Sequence, residues 1–302
     1  MHLIFMGTPD FAIPSLRKLT ESKHKVSAIV TAPDKERGRG RKLSYTPVKE
    51  FAIEKKIPLL QPEKLKNNQK FVEDLKSFNA DLFVVVAFKI LPPEVFEIPK
   101  YGSFNLHASY LPKYRGAAPI QWALIKGESK TGLTTFKLAE KVDTGNIYLQ
   151  KEVEIFPEDN FGTLHYKLSE LGADIVLDTV NLIESGSFEL QKQSDSLATA
   201  APKITKEICK IDWYKSADEI HNLIRGLAPY PAAFLIFKEK VIKIYEAEVI
   251  RRDDLKPFEI VQSKTDLIIG CGKNAIRILQ LQQEGRRSMT TKEFLRGFTF
   301  SV

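Results

Sequence analysis

Cysteine is scarce in this 302-residue chain: Cys209 and Cys271 are the two, with no metal-type spacing between them. That argues against a disulfide framework and a zinc site, and it fits a reducing compartment such as the cytoplasm. Long apolar runs are lacking as well. The chain opens on the strand-like Leu3-Ile4-Phe5-Met6 with no basic region leading into a long apolar segment, and no later run reaches spanning length. Neither secretion nor membrane insertion is therefore expected. Glycine fingerprints are thin too. Gly7 follows the first strand alone, without the further glycines of a dinucleotide-binding turn, although Asp34 after the second strand weakly imitates its acidic residue. A nicotinamide cofactor is disfavoured accordingly, and there is no internal repeat or low-complexity tract.

Charge is present in excess and unevenly spread. The net charge is +7, and the residues from Lys203 onward hold 18 Lys and Arg against 13 Asp and Glu. A basic C-terminal region of this kind suits a polyanion, although a solvated surface with modest positive bias reads the same way. The densest positive run is Asp34-Lys35-Glu36-Arg37-Gly38-Arg39-Gly40-Arg41-Lys42, with no apolar residue in it. Such a segment has nothing to bury, so an exposed, mobile loop is expected, and arginine on a glycine-bearing loop suits a phosphate backbone.

Apolar periodicity sets the fold class. Leu3 to Met6, Val26 to Thr31 and above all Leu82-Phe83-Val84-Val85-Val86-Ala87 read as buried strands, the last continuous and β-branched as central parallel strands are. Helices are expected between them, from about Val48 to Lys55 and Gln69 to Phe78, with another at Pro119 to Lys126 in which Trp122 is core. This alternation predicts an open parallel sheet with binding sites beyond the carboxyl ends of its strands. Strands at Thr131 to Leu138 and Ile147 to Phe156 flank the turn Val142-Asp143-Thr144-Gly145, and Leu164, Leu168, Leu171, Ile175 and Leu182 stripe a helix from Phe161 to Ser185. The polar stretch from Gln191 to Pro202 reads as a linker. Beyond it, a helix near Ser216 to Leu227 and five short strand-like pieces between Ala233 and Leu281 predict a small barrel.

The stretch with chemistry in it is Ser103-Phe104-Asn105-Leu106-His107-Ala108-Ser109. Alternation along a strand puts Ser103, Asn105, His107 and Ser109 on one face, against Phe104, Leu106 and Ala108 on the other. A polar face at a strand end in such a sheet suggests a cleft. Asn105 offers two amide hydrogens and His107 exchanges a proton near neutral pH, which suits a carbonyl becoming a tetrahedral oxyanion. Local satisfaction of backbone groups accounts for the same residues equally well. Asp143 is placed where a turn former is common, and it would orient the imidazole if its turn faced His107.

Taken together, several segments resemble the methionyl-tRNA formyltransferase family. They are Phe5-Met6-Gly7-Thr8-Pro9-Asp10-Phe11, the basic loop through Gly38-Arg39-Gly40, Asn105-Leu106-His107-Ala108-Ser109, Tyr114-Arg115-Gly116-Ala117-Ala118-Pro119-Ile120-Gln121, Asp143-Thr144-Gly145, Ile211-Asp212-Trp213, and Arg225 with Pro229-Tyr230-Pro231. The resemblance implies a Rossmann-like α/β catalytic domain at 1–188, a linker at 189–203, and an OB-like β-barrel domain at 204–302 that binds tRNA. It places the three catalytic positions on Asn105, His107 and Asp143. The folate-site motif falls on Ser109-Tyr110-Leu111-Pro112, with Tyr110 in place of a usual Leu, and Arg37, Arg39, Arg41 and Lys42 are similar to a loop that enters the tRNA acceptor end. The expected co-substrate is 10-formyltetrahydrofolate, the partner initiator methionyl-tRNA, with no metal, in a cytoplasmic monomer.

Two departures from the family pattern stand out. Ala87-Phe88-Lys89-Ile90-Leu91-Pro92 lacks the glycine of the usual Ala-Tyr-Gly loop and is one residue shorter, in a segment that helps form the folate pocket. Asn146 stands where Asp is frequent. A formyltransferase acting on an amino-sugar nucleotide shares the Asn/His/Asp set, but the arginine-glycine loop disfavours it. An RNA-binding protein with a catalytically dead first domain is disfavoured by the intact acyl-transfer residues.

Overall fold

The computed structural model describes residues 1–37 and 42–300. In chain order the first elements are β1 (His2–Gly7), α1 (Ile13–Thr20), β2 (Lys25–Val30), β3 (Lys35–Arg37), β4 (Lys42–Ser44), α2 (Pro47–Glu54), β5 (Leu59–Leu60), α3 (Gln69–Ser77), β6 (Leu82–Val86), α4 (Pro93–Phe96) and β7 (Ser103–His107). There follow β8 (Arg115–Gly116), α5 (Pro119–Ile125), β9 (Lys130–Lys137), β10 (Ile147–Glu154), α6 (Phe161–Ser185) and β11 (Ala200–Ala201). The chain closes with α7 (Lys206–Cys209), α8 (Ala217–Leu227), β12 (Ala233–Phe237), β13 (Lys240–Ile250), β14 (Ile260–Gln262), β15 (Leu267–Gly270), β16 (Ala275–Gln283), β17 (Met289–Thr290) and α9 (Thr291–Phe294). It divides into two compact units. The first comprises Met1–Gly116, Gly132–Val153 and His165–Ala200, the second Ala117–Thr131, Glu154–Leu164 and the residues from Ala201 onward.

In the first unit the described strands form a seven-stranded sheet in the order β10-β9-β7-β6-β1-β2-β5. The pairs among β5, β2, β1, β6 and β7 are parallel. The order reverses about β1, which is the doubly wound arrangement that opens a crevice at the carboxyl ends of the strands. All five residues of β6 are buried, as its β-branched run requires of a central strand. Packed on one face are Phe71, Val72 and Leu75 of α3 and Val95 and Phe96 of α4, against Ile4, Met6, Phe83 and Val85. Strand β9 then adds antiparallel to β7, pairing Asn105 with Phe136 and His107 with Thr134. The long helix α6 buries Leu164, Leu168 and Ile175 of the expected stripe together with Val176, Val180 and Ile183, whereas Leu171 and Leu182 are half-buried, so the buried side is rotated from the one the leucine spacing marked.

Two expectations need correction. The charged run after β2 does form structure at its flanks: Lys35–Arg37 and Lys42–Ser44 pair as an antiparallel hairpin, with Arg37 opposite Lys42. Backbone hydrogen bonding needs no apolar side chain, so hydropathy could not reveal it. Arg39 and Arg41 lie outside the described residues. The second correction is Trp122, which is half-buried rather than core, its indole N–H donating to Pro202 O at 2.7 Å.

The second unit is a curled antiparallel sheet in the order β12-β13-β16-β15-β14, with β17 on β16, the half-barrel form of the expected OB-like domain. Its core joins Ile220, Ile224 and Leu227 of α8 to Phe234, Ile242, Ile244, Ile276 and Ile278 of the sheet. Ser216 and Glu219 form a capping box at the start of α8, satisfying two amides that the helix leaves open. Gly226 lets α8 approach α5, since a Cβ there would stand 2.8 Å from Ile125 Cγ1.

Both thiols are buried in this unit. Burial pushes the Cys271 thiol up to about 12 and raises that of Cys209. Neither is expected to react with a chromogenic disulfide reagent at pH 8 until denaturant is added, when both titrate, because the thiolate is the nucleophile and needs access. Rapid labelling of the native protein would contradict this burial.

Candidate active site

Strand β7 ends at His107, and the four polar residues expected on one of its faces, Ser109 lying beyond its end, do not share one task. Ser103 Oγ donates to Phe96 O at 2.7 Å and Ser109 Oγ to Lys113 O at 2.6 Å, so both hydroxyls are spent on backbone carbonyls. Asn105 and His107 remain. Asn105 lines a cleft at the carboxyl end of β6 together with Val85, Phe88, Leu91, Leu138 and Asp143, and the charged Lys89 and Glu140 line it as well. No side-chain hydrogen bond engages Asn105 among the described residues, which leaves its amide free to donate into the cleft.

His107 is buried, with Nε2 2.8 Å from Tyr114 O. A carbonyl oxygen only accepts, so Nε2 carries the proton and the neutral ring presents its lone pair at Nδ1. That nitrogen is 3.8 Å from Asp143 Oδ2, a separation too long for a hydrogen bond. Taking a proton at Nδ1 converts the facing carboxylate from a repelling neighbour into a stabilising one. Asp143 itself is held: its Oδ2 accepts from Gly116 N–H at 2.8 Å, and its backbone stands at φ 56, in the left-handed region. Asn105, His107 and Asp143, separated by up to 38 positions in the chain, are thus brought together.

The residues of Ser109-Tyr110-Leu111-Pro112 are placed otherwise. Leu111 is buried with Phe136 and Ile147, and its N–H donates to Thr134 Oγ1 at 3.0 Å. Tyr110 is half-exposed and lies over Gly132, where a Cβ would meet its ring at 2.9 Å. None of the four is among the residues lining the cleft. The loop Phe88 to Leu91 and the segment 138–142 line it instead. Of the latter, periodicity gave no sign beyond its position before the Asp-Thr-Gly turn.

Asp34, whose position weakly imitated a dinucleotide-binding acid, is occupied at the base of the β3–β4 hairpin. Lys49 Nζ reaches its Oδ2 at 2.5 Å and Gln61 Nε2 its Oδ1 at 2.9 Å. The Gln61 amide, and then the Lys49 ammonium, hold its carboxyl below the usual carboxylate range. A lowered value makes the anchor fully present above that range and lost only as pH falls through it.

Residues 1–180 match the family model described as formyl transferase, and residues 203–299 match the one described as formyl transferase, C-terminal domain. The methionyl-tRNA formyltransferase of Caldanaerobacter subterraneus subsp. tengcongensis is 48% identical over 299 residues, covering 98% of this chain and 97% of its own length. The chain belongs to the methionyl-tRNA formyltransferase family.

Solved structures carry the same fold at greater distance. A sugar 3N-formyl transferase, WlaRD, crystallised in the presence of dTDP and 5-N-formyl-THF, superposes with a TM-score of 0.70 at 19% identity, over 95% of this chain and 99% of that one. HypX from Aquifex aeolicus in complex with tetrahydrofolic acid gives 0.67 at 18% identity, over 97% of this chain. This family member spans just under half of HypX, 46% of its length. Among the described residues no helix is long and apolar enough to cross a membrane.

Proposed function

We propose that this chain transfers the formyl group of 10-formyltetrahydrofolate to the α-amine of methionine esterified to initiator tRNA, supporting translation initiation. The observation that carries the reading is that Asn105 and Asp143 line one cleft, with His107 Nδ1 3.8 Å from the Asp143 carboxylate, in a chain related along its whole length to methionyl-tRNA formyltransferases. The cleft suits the co-substrate: apolar walls from Val85, Phe88, Ile90, Leu91, Phe96, Leu138 and Val142 fit a flat ring system, with polar groups at the reacting end.

The residues divide the work. Asn105 donates its amide N–H to the formyl oxygen as the neutral amine attacks and that oxygen gains charge. Nδ1 of His107, its ring fixed by Tyr114 O, accepts the proton that the attacking nitrogen loses and returns it to N10 of the folate as the bond from the formyl carbon to N10 breaks, so that tetrahydrofolate leaves neutral. Asp143 stabilises the imidazolium so formed across the 3.8 Å gap, as proton uptake shortens it. No covalent bond to the protein is needed, because the amine is itself the nucleophile. Residues 1–188 are assigned the formyl transfer and 204–302 a hold on tRNA, joined by 189–203. The working form is a monomer in the cytoplasm, where charged tRNA is used, and sedimentation at assay concentration tests the monomer.

The deciding experiment follows loss of the free amine on charged initiator tRNA with 10-formyltetrahydrofolate, beside an amino-sugar nucleotide as competing acceptor. Turnover on the tRNA is expected, and turnover on the sugar alone would reassign the substrate. Neutralising Arg37, Arg39, Arg41 and Lys42 together is expected to raise KM for tRNA about tenfold at moderate salt and to flatten its salt dependence. KM for the folate should not change. Unaltered tRNA kinetics at low and moderate salt would remove the arm from the reading.

A further inference from the structure

Between Gln191 and Ala200 a single side chain is buried, and it is a polar one, Gln193. A buried amide is costly unless its bonding capacity is filled, and here all of it is. Nε2 donates to Asp143 O at 3.0 Å and to Gly145 O at 2.7 Å, while Oε1 accepts from Arg115 Nε at 3.1 Å and Nη2 at 2.8 Å. The guanidinium has only donors to offer, so its fork fixes which end of the amide is oxygen, and the NH2 group necessarily faces the two carbonyls. Both carbonyls belong to the Asp-Thr-Gly turn, one on either side of Thr144. Gln191 is itself tied down by paired backbone hydrogen bonds to Ile147, which holds the segment beside that turn.

We propose that Gln193 is a positioning residue for the formyl transfer: it clips both ends of the Asp143 turn and so sets the distance from the carboxylate to His107. The proposal rests on the assignment of Asp143 to the reaction. Asp143 needs such a clip. Its left-handed backbone is a conformation a non-glycine residue holds only when its surroundings over-determine it, and its carboxylate sits one short movement away from a hydrogen bond. Arg115 acts one step further out, orienting the amide and itself held by Asp195 at 2.8 Å.

The test compares Gln193→Glu, Gln193→Met and Asp143→Ala, alone and with Asp143→Ala combined with each Gln193 variant. Glutamate keeps the size and strengthens the contact to Arg115, but it turns an acceptor toward the two carbonyls, and methionine keeps the bulk without donors. Each single variant at 193 is expected to lose about tenfold in kcat, on the scale set by ångström-level misplacement of a reacting group, with both KM values within twofold. Each double variant should be no slower than Asp143→Ala, because the clip acts through that carboxylate. Wild-type kcat in Gln193→Glu, a change confined to KM, or losses that multiply with Asp143→Ala would each overturn the proposal. If glutamate impairs folding, the methionine variant decides alone by the same criteria. Wild-type turnover in Asp143→Ala would instead remove the reading on which the proposal rests.

Discussion

Asn105→Ala is expected to lower kcat for formyl transfer by ~100-fold or more, the usual cost of removing one oxyanion donor, while the protein stays folded. Strand β7 is paired on both sides, Asn105 standing opposite Val85 on one and Phe136 on the other, and the backbone bonds of that ladder do not need the amide. No described partner is orphaned by its loss, so the melting temperature should scarcely move. His107→Ala is expected to cost as much in kcat but to behave differently in stability. It removes a buried hydrogen bond from the imidazole to Tyr114 O, a change worth about 1 kcal/mol and hence a few degrees in Tm for a domain of this size. The double variant should fall well short of the product of the two losses, since both groups serve one developing charge. Stopped single-turnover assays with saturating substrates measure the step. Near-normal turnover in both single variants would take this pair out of the chemistry.

The sheet was legible because burial on both faces writes itself as unbroken apolar runs, and Leu82 to Val86 left no alternative to a central strand. The 25-residue helix α6 was legible for the complementary reason, one apolar side repeated at helical spacing. The hairpin of Lys35–Arg37 and Lys42–Ser44 was not, since its order comes from backbone hydrogen bonds that hydropathy does not record. Strand alternation assigned Ser103 and Ser109 to the reactive face. The strand, however, ends at His107, and hydroxyls near strand ends find backbone carbonyls first. For Asp143 the sequence offered a turn and a resemblance but no proximity. That proximity is made by the register of β9 on β7, which pairs Lys137 with Phe104, and by Lys137 N–H donating to Asn146 O at 2.9 Å just past the turn. Gln193 shows the limit most clearly. A polar residue in a polar stretch carries no hydropathic mark, and its inward orientation is set by Arg115 and the turn carbonyls it meets in the fold.

The same junction yields the other large effect, in a residue with no functional group. At Gly145 a Cβ would stand 1.6 Å from Lys137 O and 2.9 Å from its carbonyl carbon, and neither can retreat. Lys137 is held by β7 on one side and by Asn146 on the other, so the turn must move instead, carrying Asp143 away from His107 and breaking the two bonds from Gln193. Gly145→Ala is therefore expected to lower kcat by about 100-fold through misplacement and to cost about 1–3 kcal/mol as an overpacked site. Gly186→Ala separates the two effects. Nothing lies within 4 Å of a Cβ there, but φ is +67, so that variant should lose about 1 kcal/mol of stability from backbone strain and keep its turnover. If Gly145→Ala also kept its turnover, the turn would have to be mobile enough to absorb the methyl group, and the 3.8 Å from Asp143 to His107 would no longer matter to the reaction. Comparing kcat and Tm across the two glycine variants distinguishes a held carboxylate from a merely well-packed one.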